Sequence, residues 1–243
     1  MKEVSLTITK NIPLNLDTYK MVLRGDTAGL KAGQFLELTV PGFFLRRPFG
    51  IADSTDNSLT ILYKNVGQGT AAMTTLKEGQ VLSALIGLGN GFNLKKSKKP
   101  LVIGGGIGIA PLYKLCKEFN AMGIKPQIVL GFRGSDDAFY IDEFAKLGNV
   151  TVSTDDGCIG FFGNAVECVD FHLPDYDYYF ACGPLVMLKN LAARDTQGEI
   201  SLEARMGCGF GACMGCSIQT TKGARRVCKE GPIFSAGEVI FND

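Results

Sequence analysis

The chain has 243 residues, 46% of them hydrophobic, which is enough for one large or two modest domains with real cores. Twenty-five basic residues against 24 acidic ones leave a formal charge of +1, so no strong field draws in nucleic acid or an anionic membrane surface. The longest apolar run, residues 101–113, is thirteen residues long and broken by four glycines and a proline, too short to span a bilayer.

The amino-terminal MKEVSLTITKN reads as a strand and not as a secretion signal, which points to a soluble cytoplasmic protein. Val4, Leu6 and Ile8 alternate with polar neighbours, as do Leu36, Leu38 and Val40, and then Leu59, Ile61 and Tyr63. Each set is the pattern of a half-buried strand, and punctuation at Gly25, Gly29, Gly33, Pro41 and Gly42 predicts a small antiparallel barrel. Within it, Arg46, Arg47, Pro48, Phe49 and Gly50 put a fixed arginine, suited to a diphosphate, beside a rigid backbone suited to a planar ring. Leu62, Tyr63 and Lys64 then lead through Gly67, Gln68 and Gly69 into a short helix expected to be capped by Thr70, whose first turn would offer N–H groups to a phosphate. An ordinary glycine loop before an ordinary helix explains the same residues. The lysine-rich stretch at 95–100 marks the end of this region.

Leu101, Val102 and Ile103 run into Gly104, Gly105, Gly106, Ile107, Gly108, Ile109, Ala110 and Pro111, after which Leu112, Leu115, Cys116, Phe119 and Met122 recur at helical spacing. This is strand, glycine loop, helix, the opening of a parallel α/β unit. Further strands at 128–132, 150–154 and 178–182, with helical stretches between, predict a doubly wound sheet. Arg133, Asp136 and Asp137 follow the second strand; two carboxylates there repel a 2′-phosphate and favour NADH over NADPH. His172 is the single histidine and sits in no constellation, so the chemistry must come from cofactors. Cys116 and Cys168 read as small buried hydrophobes.

The last stretch places Cys208, Cys213, Cys216 and Cys228 in the spacing C-x4-C-x2-C-x11-C, among Gly207, Gly209, Gly211 and Gly215. Three thiolates from one glycine-rich loop and a distant fourth match the plant-type [2Fe-2S] pattern. A structural zinc site usually takes two CxxC-like pairs, and only Cys213 and Cys216 form one; disulfides would need an oxidising compartment.

Taken together, RPFG, GQGT and LIGLGNGF at 85–92 resemble the FAD domain of the ferredoxin-NADP reductase superfamily. The resemblance implies that Arg47 meets the flavin diphosphate, that Pro48, Phe49, Gly50, Leu62, Tyr63, Lys64, Gly69 and Thr70 bind FAD, and that a hydroxyl residue is usual where Gly50 stands. It likewise implies that the loop with Gly104, Gly105, Gly106 and Gly108 and the Cys182-Gly183-Pro184 turn hold the nicotinamide nucleotide, with Cys182 where nicotinamide meets flavin. The module order and SLEARMGCGFGACMGCS with VCKEGPIF resemble the electron-transfer subunits of type B dihydroorotate dehydrogenases. That family carries FAD and [2Fe-2S], uses NADH, and works in a hetero-oligomer, a heterotetramer, with an FMN-containing dihydroorotate dehydrogenase catalytic subunit. Cys158 departs from the serine usual in DDGCIG.

The expected fold is therefore multidomain β plus α/β: an FAD-binding barrel at 1–97, an NAD-binding domain at 98–199 and a [2Fe-2S] segment at 200–243. An electron-transfer subunit of an NADPH-linked ferredoxin reductase or sulfide dehydrogenase complex shares this module order. A non-enzymatic redox-sensing module is the reading from outside that class.

Overall fold

In this computed structural model, which describes residues 1–172 and 174–241, the first 88 residues form one antiparallel sheet. Its strands are β1 (Lys2–Pro13), β2 (Thr18–Arg24), β3 (Phe35–Leu38), β4 (Arg47–Gly50), β5 (Asp53–Ser54), β6 (Ser58–Lys64) and β7 (Val81–Leu88), with helix α1 (Gln68–Thr74) between the last two. The spatial order is β4-β3-β7-β1-β2-β6-β5. Alternate side chains, among them Leu6, Met21, Leu36, Leu38, Ile61, Ala84 and Ile86, fill the inside. The ladder leaves β4 and β5 as edges, yet the sheet curls until Phe49 of β4 meets Tyr63 of β6 edge-on, ring centroids 6.0 Å apart. The expected barrel is thus closed by side chains on one side, and that side is where its cavity opens.

The second sheet is built from β8 (Pro100–Gly105), β9 (Gln127–Phe132), β10 (Asn149–Thr154), β11 (Phe161–Phe162), β12 (Tyr178–Cys182) and β13 (Gly198–Ser201), all parallel. Helices α2 (Ala110–Ala121) and α3 (Ile141–Ala145) cover one face, where Leu112, Leu115, Phe119 and Phe144 pack with Val102, Ile128, Leu130 and Phe180. Helices α4 (Ala165–His172) and α5 (Leu185–Arg194) cover the other, where Val166, Cys168, Leu188 and Leu191 meet Leu101, Ile103, Val129 and Tyr179. Strand β8 lies between β9 and β12, so the chain changes direction around the glycine loop, the crevice where open α/β sheets bind ligands.

The C-terminal stretch forms a hairpin, β14 (Ser217–Thr220) with β15 (Gly223–Arg226), and then β16 (Ile233–Ser235), which pairs antiparallel with β13 and completes the second sheet. The expected boundary between 97 and 98 falls in the turn before β8, whereas that between 199 and 200 falls inside β13. The cluster-bearing stretch is therefore stitched into the nucleotide sheet at both ends.

Three sequence expectations change. Met122 lies at the carboxyl end of α2 and is 54% exposed, because the helix stops before its next apolar turn. Val40 lies beyond the end of β3, though it is buried in the barrel core. Thr70 is not the cap: Gly67 is, and the Thr70 hydroxyl reaches back to accept the N–H groups of Val66 (3.0 Å) and Gly67 (3.1 Å). Those two donors are therefore spent within the turn.

Candidate redox site: two adjoining cavities and a thiol cluster

A cavity of about 400 Å³ opens between the barrel and the second sheet. Arg47, Pro48, Phe49 and Gly50 of β4, Leu62, Tyr63 and Lys64 of β6, and Thr70 line one wall; Ile107, Pro111 and Cys182 line the other. The sequence-predicted flavin residues thus converge on one cavity, with Gly69 just behind them. Arg47 is held in place before any ligand arrives. Its Nη1 donates to the Leu45 carbonyl at 2.6 Å and its guanidinium carbon lies 5.0 Å from the Phe43 ring centroid. Gly69 is the back of this cradle, since a Cβ there would fall 2.6 Å from Arg47 Nε. Such a preset guanidinium is suited to a diphosphate.

Gly50 lies close against the nucleotide-sheet loop. A Cβ at that position would sit 3.3 Å from Pro111 Cβ, so the nucleotide-sheet loop presses on the barrel there. Tyr63 stands beside it, its hydroxyl donating to Asn11 at 3.0 Å and its pKa pushed up to about 12 by burial.

A second cavity of about 370 Å³ is lined by Gly105, Gly106, Arg133, Asp137, Asp155, Pro184 and Met187. Lys64 and Ile107 line both cavities, so the two adjoin. Gly104, Gly108 and Gly183 lie behind the lining; a Cβ on Gly108 would come within 2.5 Å of the Cys182 carbonyl, which keeps the glycine loop against the end of β12. Cys182 is 2% exposed, and burial pushes its thiol up, so it remains a neutral wall of the first cavity.

Lys64 lines both cavities and is held there by two carboxylates. Its ammonium lies 3.0 Å from Asp17 and 3.1 Å from Asp137, and Arg133 Nε bonds the same Asp137 at 2.7 Å. Arg133, with Lys64, holds the Asp137 carboxyl below the usual range. Asp136, by contrast, is exposed outside the cavity, and Asp155 supplies the second carboxylate instead. Sequence reasoning missed Asp155, although the DDG turn after the third strand was its signal. It also missed Ser201, Glu203 and Met206, which line the first cavity from the segment before the cysteines. Cys158 is exposed in the DDG turn, its N–H donating to Asp156 at 2.9 Å and its thiol raised by that same carboxylate. His172 meets Phe161 and Phe171 edge-on and lines neither cavity.

The four predicted cluster thiols gather as two pairs. Cys213 N–H donates to Cys208 Sγ at 3.5 Å, joined by Ala212 N–H at 3.3 Å, and Cys228 N–H donates to Cys216 Sγ at 3.4 Å. Burial raises Cys208, but the N–H groups of Cys213, Phe210 and Ala212 outweigh it and bring the thiol down to about 6. Burial, then Cys216 beside it, push Cys228 up to about 12. Cys208 is thus inclined to bind metal as a thiolate, whereas Cys228 needs a cation to ionise. A [2Fe-2S] cluster asks two thiolates of each iron, and the four cysteines are arranged as two pairs. The donor set fits the two-iron cluster better than four-coordinate zinc.

Comparison with known proteins agrees. Residues 203–240 match the family model described as the iron-sulfur cluster binding domain of dihydroorotate dehydrogenase B. The chain is 40% identical to the dihydroorotate dehydrogenase B (NAD(+)) electron transfer subunit of Fusobacterium nucleatum, covering 98% of this chain and 99% of that one. It is 38% identical to the subunit of the same name from Lysinibacillus sphaericus, over 96% and 95%. Among solved structures, an NADH-dependent reduced ferredoxin-NADP oxidoreductase superposes with a TM-score of 0.88 at 26% identity, covering 97% of this chain and 89% of that one. Phthalate dioxygenase reductase shares the fold at a TM-score of 0.67 and 18% identity, over 83% and 70%.

Proposed function

The chain belongs to the family of dihydroorotate dehydrogenase B electron transfer subunits, and from that premise we propose that it passes electrons between NADH and a separate FMN-containing dihydroorotate dehydrogenase catalytic subunit, in pyrimidine biosynthesis. The observation that carries this reading is the order of the sites: a nucleotide cavity shares Lys64 and Ile107 with a flavin cavity, and the strand beside that cavity packs under the paired cysteines. FAD bound there exchanges two electrons with a nicotinamide and single electrons with a [2Fe-2S] cluster. We divide the work among residues 1–97 for FAD, 98–199 for NADH and 200–243 for the cluster, with β13 shared.

Arg47, cradled by Leu45, Phe43 and Gly69, anchors the diphosphate. Phe49, Gly50 and Leu62 shape the space for the ring, and Cys182 closes it from the nucleotide side and excludes water. Gly105, Gly106 and Pro184 hold the nucleotide against the end of β8. Cys208, Cys213, Cys216 and Cys228 bind the iron. A reducing compartment, the cytoplasm, suits four thiolates kept for metal. Among the described residues no helix is long and apolar enough to cross a membrane.

Asp137 and Asp155 in the nucleotide cavity, with Arg133 already paired, favour NADH. Stopped-flow reduction of the flavin is expected to be faster and tighter with NADH; a preference for NADPH would reverse this and promote the ferredoxin-reductase reading. The full-length relatives at 38–40% identity favour the dihydroorotate partner over that rival at 26%. Affinity purification of the chain from its native cells should bring down an FMN-containing companion that oxidises dihydroorotate. A companion lacking FMN and that activity would contradict the proposal.

A further inference from the structure

Glu37 is 1% exposed, and neither of its carboxyl oxygens has a hydrogen-bond partner among the described residues. Buried carboxyls are ordinarily paired or satisfied, and one left otherwise asks for a reason. Its position supplies one. On β3, Leu36 and Leu38 point into the barrel core, so Phe35 and Glu37 face the other way. Phe35 belongs to the same buried apolar cluster as Cys216, Val227 and Cys228. Glu37 sits opposite Pro48, which lines the flavin cavity, in the β3–β4 ladder. Above it lies Gly209 of the cluster loop, in the left-handed region at φ +75°, where a Cβ would fall 2.6 Å from Glu37 Cγ and 2.8 Å from Oε1. The charged groups acting on the carboxyl are Cys208 on one side and Arg46 and Arg47 on the other, and Arg46 Nε is itself buried without a partner.

A methylene chain would fill this space as well, so packing alone does not call for an acid. We propose that Glu37 is a positioning residue of the electron path, a buried carboxylate between the flavin arginines and the Gly209 turn whose charge sets how electrons distribute between flavin and cluster. This rests on the function proposed above. Gly209 is accordingly glycine for its close approach to Glu37 as well as for its left-handed backbone.

Redox titration of the isolated chain, followed by flavin absorbance and by electron paramagnetic resonance of the cluster, tests it at alkaline pH. Glu37→Gln keeps size and removes charge; Glu37→Asp keeps charge and shortens reach. The Gln variant is expected to keep FAD and iron and to move the one-electron distribution toward the cluster by about tenfold, about 59 mV, while the Asp variant stays near wild type. A Gln variant with the wild-type distribution overturns the proposal because the charge is then irrelevant. A Gln variant that loses its iron outright overturns it too, because the group is then scaffolding. Wild-type protein without flavin or cluster signals would instead refute the function proposed above, which keeps the two failures apart.

Discussion

Changing Cys213 to Ala is expected to leave NADH oxidation with a dye that accepts directly from flavin largely intact, while NADH-linked turnover with the FMN-bearing subunit falls to background. Cys213 suits this test because it is exposed, whereas Cys216 and Cys228 are buried in the same apolar cluster as Ile200 and Phe234. Removing an exposed thiol costs little core packing, while truncating either buried one would open a cavity beside β16. Cys213 lines neither the flavin nor the nucleotide cavity, so both keep their linings. The partner's own oxidation of dihydroorotate with a direct dye should be untouched. Wild-type NADH coupling in the variant, with its cluster lost and the complex assembled, would remove the cluster from the path.

Replacing Arg47 with Ala is expected to strip FAD from the protein during gel filtration. A charge-assisted hydrogen-bonded pair contributes roughly 1.5 to 3 kcal/mol. That is roughly 10- to 150-fold in affinity. The geometry adds a second route to the same loss. Gly69→Ala leaves the guanidinium in the sequence but pushes a methyl to within 2.6 Å of Nε, so the guanidinium has to shift from its present position. Both variants should show the same weakened flavin binding by absorbance after desalting. Wild-type retention by Arg47→Ala would sink the diphosphate assignment, and retention by Gly69→Ala alone would show that the cradle is not needed.

Much of this arrangement was legible in the residues because it is local. Period-2 alternation marked β1, β3 and β6, and a glycine loop between an apolar run and a helical stripe marked β8 and α2. Cysteine spacing marked the metal site. What the sequence hid is what depends on distant partners. Strand β16 is only Ile233–Ser235, too short for any period, and exists because β13 offers it an edge. Lys64 looked like part of a flavin strand, but its ammonium is placed by Asp17 and by Asp137, 73 positions onward in the chain. Glu37 lies between Leu36 and Leu38 on the opposite face of β3, and the C-terminal segment folds back over it and turns that face into an interior. The close approach of Pro111 to Gly50 likewise comes from the second sheet and is invisible in the local sequence.

The most direct test of the electron path is rapid-freeze electron paramagnetic resonance after mixing the purified chain, free of its partner, with NADH. The account predicts that flavin absorbance bleaches first and that the signal of a reduced [2Fe-2S] cluster follows, and that protein stripped of FAD through Arg47→Ala gives no cluster signal until FAD is restored. A cluster that is reduced by NADH equally fast without flavin, or one that stays oxidised in the wild-type chain while added FMN subunit becomes reduced, would contradict it.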